Sequence, residues 1–198
     1  MKTNFPLFES VLALDEVIKE RFPQNVCSGL EALGTIFTGL DCLENGGYHA
    51  TPTNTLSFAR TGTDGEHFSF LVFNNRIDSR SPVIFTTPVN YGGIENVVVA
   101  KNFDIFVRLW LRYGGFALGE FAYNIERAIQ VYTTEQQQPA EKLSTVFDYA
   151  PDEQMQKILD FAAKALRMQP YIYTAAEFLA LQRRYLPLLQ MPDGYYLL

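Results

Sequence analysis

The chain has 198 residues, 47% of them hydrophobic, enough to bury a substantial core without disulfide or metal staples. A formal net charge of -6 excludes a protein whose affinity rests on neutralising phosphates, so nucleic acid is not an expected partner. No apolar run approaches the roughly 18 residues that span a bilayer, MKTNFPLFES lacks a signal-peptide core, and Cys27 and Cys42 stand unclustered, so a reduced, cytoplasmic chain away from membranes is expected.

Asn4 is placed to cap a helix with Pro6 in its first turn. Leu7, Phe8, Val11, Leu12, Leu14, Val17 and Ile18 then recur at helical spacing until Pro23, with Glu9, Asp15, Glu16, Lys19 and Glu20 on the wet side. Between Cys27 and Ala50 glycines interrupt the apolar pieces, and LENGGYHATP reads as a loop feeding a sheet. Residues 55–59 and 67–73 alternate, the second setting Phe68, Phe70 and Val72 against His67, Ser69 and Leu71. The TGTDG between them is hairpin chemistry, because Asp-Gly tolerates the positive φ that a tight turn demands. Residues 82–87 and 96–100 supply two more short strands. Gaps this short leave little room for crossover helices, which predicts a mainly antiparallel sheet.

Asn102 opens a helix through FDIFVRLWLRY, with Gly114 and Gly115 as its predicted stop. Its stripe of Phe103, Phe106, Val107, Trp110 and Leu111 reads as core. A further helix is predicted over 120–132, and residues 133–150, without apolar periodicity, read as a linker. Two helices follow, over about 151–168 and from the capping box of Thr174 and Glu177, as a C-terminal helical hairpin that packs on itself or on the preceding domain and offers a surface for self-association. The expected class is α+β: a domain over 1–132 with helices flanking a mainly antiparallel sheet, a linker, and the hairpin over 151–198.

Catalytic kits are hard to assemble from these residues. His67 and Ser69 share a strand face but Glu66 points to the other, so a triad would need partners from elsewhere. With two histidines, no HExxH and no ligand spacing around the cysteines, His49, His67, Asp41 and Asp64 make no convincing metal set. Cys27 or Cys42 paired with His67 would draw a thiol nucleophile, yet neither cysteine has a local signature for it. LENGGYH and NYGGIEN lack a phosphate-loop frame. No cofactor is expected, and a non-enzymatic binding protein is favoured over an enzyme.

One block carries a further signal. Phe58, Ala59, Thr61, Gly62, Asp64, Gly65, His67 and Phe68, then Pro82 and Val83, then Asn102, Phe103 and Phe106 follow one another in an order that resembles the central block of the SUKH superfamily, over about residues 48–112. This is the group of bacterial immunity-type proteins related to fungal cell-wall synthesis regulators. The resemblance implies an α+β fold, no catalytic residues, and binding of another protein, often a toxin that the chain neutralises. An acidic surface would suit a basic toxin domain, since charge complementarity speeds association. The residues expected to bind are Asp64, Glu66 and His67 at the hairpin tip, with Tyr91 and Glu95 in the following loop. The alternative is a small-ligand or hydrolytic pocket in which His67, Asp64, Tyr48 and His49 converge.

Overall fold

The computed structural model describes residues 5–23, 29–89, 94–123, 125–137 and 151–193. Helix α1 (Pro6–Arg21) buries Phe8, Val11, Leu14 and Ile18, which recur every three or four residues and so share one stripe. Asn4 lies outside the described residues; Phe5 holds the N-cap position without a side-chain hydrogen bond. A short 3-10 helix (Gly29–Leu33) leads into β1 (Ile36–Phe37), and β2 (Thr55–Arg60), β3 (His67–Leu71), β4 (Val83–Thr86) and β5 (Asn96–Ala100) follow. All pairings are antiparallel, in the order β1-β2-β3-β4-β5. With its helices the sheet makes an α+β fold.

The β2–β3 hairpin is built as its sequence dictates. Asp64 and Gly65 take φ of 45° and 75°, Glu66 N–H donates to Thr63 C=O at 2.8 Å, and Thr61 N–H donates to Glu66 C=O at 3.2 Å. The register then sets Arg60 opposite His67 and Ser57 opposite Ser69, with Phe58 as an extra residue in a bulge. Phe58 points into an aromatic cluster with Phe8, Phe70, Phe103 and Phe106. Alternation within β3 does not divide wet from dry, because all five of its residues are buried. Helices cover one face, and the loop before β2 covers His67 on the other.

Helix α2 (Phe103–Tyr123) starts where Asn102 Oδ1 accepts the Ile105 N–H at 2.9 Å. It does not stop at the glycine pair. Gly114, at φ 75° and ψ 172°, kinks the chain, and helix resumes to Tyr123. The kink is held from outside: Trp110 Nε1 donates to Thr35 Oγ1 at 3.0 Å, and Gly115 lies against Gly34 and Thr35 with no room for a side chain. Helix α3 (Ile125–Gln137) runs past the predicted end, so residues 133–137 are helical and not linker. Gln and Glu favour helix, so this segment needs no apolar period to continue it. Residues 138–150 of the predicted linker lie outside the described residues.

Helix α4 (Glu153–Leu166) is capped by Asp152, whose side chain accepts the Met155 N–H at 2.7 Å. Helix α5 (Ala175–Tyr185) opens on the predicted capping box of Thr174 and Glu177. Their main contacts are with the rest of the chain and not with each other: α4 lies on α1 and α2, and α5 on β5 and α3. From α5, Gln182 reaches the free edge of β5, accepting the Val98 N–H at 3.0 Å and donating to the Val98 C=O at 2.8 Å. Tyr173 Oη accepts the Lys101 N–H beyond it. The chain then returns to the start of β2, where Thr53 N–H donates to Gln190 C=O at 2.6 Å and Asn54 exchanges hydrogen bonds with Leu188 C=O and Gln190 N–H, both at 2.9 Å. No helix among the described residues is long and apolar enough to cross a membrane.

Candidate functional site

Beside the hairpin, on the sheet face away from the aromatic cluster, lies an open cleft of about 520 Å³. Ile36 and Thr38 form one wall, Cys42, Glu44, Gly46 and Tyr48 another, and Arg60, Thr63, Glu66 and His67 the floor and rim. The loop forming the second wall is set by Asn45, whose Nδ2 donates to Pro52 C=O at 2.8 Å and whose Oδ1 accepts the Gly47 N–H at 3.1 Å. An isolated bridge between Glu44 and Ser57 ties that loop to β2. Gly46 permits the close approach, since a Cβ there would stand 2.7 Å from His67 Nε2.

His67 is 4% exposed and both ring nitrogens are engaged. Nδ1 lies 2.7 Å from Gly65 C=O, which can only accept, so Nδ1 carries the proton. Nε2 then accepts from Thr51 Oγ1 at 3.3 Å. Burial holds the imidazole below its ordinary pKa of 6.5, and the carbonyl of Gly65 offsets this only in part. The ring serves as a neutral, fixed wall. Ser69 Oγ pairs with Ser57 Oγ at 3.0 Å, which leaves no triad on this strand.

This burial makes a prediction with a definite sign. A histidine whose folded pKa is lowered is protonated more readily in the unfolded chain, so its effect is absent well above pH 6.5 and costs stability as pH falls from 6.5 toward the folded value. Thermal unfolding of the wild type compared with His67→Gln should show a steeper loss of Tm on acidification in the wild type. Equal slopes would mean that His67 is not buried neutral, since the carboxylates act alike in both proteins.

Tyr48 stacks on the His67 ring with centroids 5.8 Å apart and is itself 46% exposed. Its ring also lies against Gly65, where a Cβ would come within 2.6 Å. Glu66 is 7% exposed, and its carboxylate accepts from Thr61 Oγ1 at 2.8 Å and Thr63 Oγ1 at 3.2 Å. The Asp41 carboxylate, with Glu44 behind it, pushes the Cys42 thiol up, so the thiol in the cleft is a poor nucleophile at neutral pH. Cys27 lies outside the described residues.

The predicted site residues separate. His67 and Glu66 line the cleft, and Tyr48 joins them as the ligand-pocket alternative required. Asp64 does not converge with them: it stands exposed at the turn tip, because a two-residue turn projects its first residue into solvent. His49 also turns away, its Nε2 lying 3.2 Å from Oε1 of Glu95, so these two pair with one another outside the cleft. Tyr91 lies outside the described residues. Arg60, Glu44 and Ile36 were missed. Arg60 follows from the turn, which fixes it opposite His67, whereas Glu44 and Ile36 arrive by pairings that no local signal announces. Among the described residues no three of His, Cys, Asp and Glu come together to hold a metal ion.

Comparison with family models, with curated proteins and with solved structures finds no match for this chain.

Proposed function

We propose that the chain is a non-catalytic, cytoplasmic protein-binding module of the toxin-neutralising kind, and that its partner is a basic protein domain received at the cleft. The observation that carries the reading is Tyr48, an aromatic side chain 46% exposed yet held rigidly against His67 and Gly65, with Glu44 and Glu66 beside it. Rigid aromatics with accessible faces are the residues on which interface energy concentrates. The carboxylates and the net charge of -6 would draw a cationic partner and speed its docking. The engaged nitrogens of His67 and the protonated thiol of Cys42 argue against acid-base or nucleophilic work there. The resemblance of residues 48–112 to the SUKH superfamily supplies the toxin-neutralising part of the reading.

Co-expression with a panel of basic toxin domains tests this. With at least one of them the chain should restore growth and elute in a one-to-one complex, and Tyr48→Ala should weaken that complex by about tenfold or more. Neither protection nor a complex with any domain of the panel, together with a small molecule retained by the purified chain, would overturn the reading.

A further inference from the structure

Residues 52–55 form a turn on which the Tyr48 wall of the cleft depends. Pro52 C=O closes the turn, accepting the Thr55 N–H at 3.2 Å and the Thr55 hydroxyl at 2.7 Å. The same carbonyl accepts from Asn45 Nδ2, which also donates to Thr55 C=O at 3.3 Å. Asn45 sets the loop through Gly46 and Gly47 to Tyr48, and Tyr48 C=O accepts the Thr51 N–H at 3.0 Å.

Residues 188–190 hold the two central residues of that turn. Gln190 C=O accepts both the N–H of Thr53, at 2.6 Å, and its hydroxyl, at 3.0 Å. Asn54 Nδ2 donates to Leu188 C=O, and its Oδ1 accepts the Gln190 N–H. The side-chain bonds are exposed, Leu188 is 45% exposed, and Leu189 is only partly buried. A segment held by exposed hydrogen bonds over little buried apolar surface opens at a free energy well below that of global unfolding. Val72 N–H still holds Asn54 C=O at 2.9 Å, so opening leaves β2 on the sheet and frees Thr53 and the Asn54 side chain.

We infer that residues 188–190 are a latch on the cleft: docked, they fix the turn that keeps Tyr48 against His67, and undocked, they leave the Tyr48 loop loose. The latch is the element with two discrete states that coupling requires. Whatever binds better to the fixed wall stabilises the docked latch by the factor by which the docked latch raises its affinity. Occupation of the cleft and closure of the latch therefore favour one another. The part of the inference that concerns a partner rests on the protein-binding reading, whereas the coupling of latch to wall belongs to the free chain.

Hydrogen exchange of the full chain tests the coupling from both ends. Asn54→Ala removes two bonds to the latch and touches no bond of Asn45; it should speed exchange of the Thr53 amide and, through the turn, of the Thr51 amide that Tyr48 C=O accepts. Asn45→Ala removes the wall's hold on the turn and touches no bond of the latch; it should speed exchange of the Gln190 amide in return. Each distant amide should exchange about tenfold faster, as for one net hydrogen bond lost. A Thr53 amide unmoved by Asn54→Ala overturns the inference, since the latch is then not labile. A distant amide that keeps its wild-type rate in either variant, or speeds up only in step with the core amides of β3, overturns it as well. In the wild type, a basic toxin domain that binds should slow exchange at Gln190, and binding without that protection separates the latch from the use of the cleft and sinks the inference. Should no such domain bind, the protein-binding reading fails while the two variants decide the latch by themselves.

Discussion

Phe58→Ala should lower the unfolding free energy by about 4 kcal/mol, in the middle of what truncating a buried phenylalanine costs. Phe58 is fully buried, stacks on Phe70 with centroids 4.3 Å apart, and meets Phe8, Phe103 and Phe106 edge-on or nearly so within 5.9 Å. Aromatic pairs add about 0.5–1.5 kcal/mol beyond the area they bury, and here several are lost at once. Against a total stability of roughly 5–15 kcal/mol this is a large fraction. Urea unfolding would report it as a lower midpoint at unchanged slope. A loss below about 1 kcal/mol would show that the bulge repacks, contrary to the tight register on either side of it. Phe37 also packs on Phe58, so β1 should exchange its amides faster in the variant.

Gly115→Ala tests the kink. Helix propensity alone predicts that the change stabilises by about 1 kcal/mol, because alanine is the better helix former. The surroundings predict the opposite sign. A Cβ at Gly115 would collide with Thr35 Oγ1 and with the backbone carbonyl of Gly34. Neither can yield easily, since Thr35 Oγ1 is held by Trp110 and Gly34 N–H by Glu31 C=O. Overpacking against fixed atoms costs about 1–3 kcal/mol and outweighs the propensity gain. We therefore expect a net loss of up to about 2 kcal/mol in the same urea experiment, with a measured gain ruling the packing out.

The same glycine pair shows where local reading ends. Two glycines after an arginine-bearing turn carry every local sign of a helix stop, and the kink at Gly114 honours that sign. What continues the helix is contact with residues 34–35, far away in sequence. The Asp64-Gly65 turn was legible because its chemistry is confined to four residues, and β2 to β5 followed because their runs are bounded by Gly, Pro or Asn. Strand β1 was not legible. Ile36 and Phe37 have no alternation to display and form a strand only because β2 offers them an edge. In the cleft the hairpin side could be read, since turn geometry places Arg60, Glu66 and His67. The Tyr48 side could be named but not placed: His49, next to Tyr48 in sequence, turns to Glu95, and only Asn45 and Gly46 decide which neighbour meets His67.

The hydrogen bonds that join residues 188–190 to Thr53 and Asn54 link positions 134 to 137 apart in the sequence. A chain leaving the ribosome makes the start of β2 well over a hundred residues before the segment that fastens it. Closing so long a loop is slow compared with forming a hairpin. The sheet and the aromatic cluster can therefore assemble while the loop bearing Tyr48 still lacks one of its anchors. The wall of the cleft therefore sets after the sheet, once residues 188–190 have been made and have folded back onto Thr53 and Asn54.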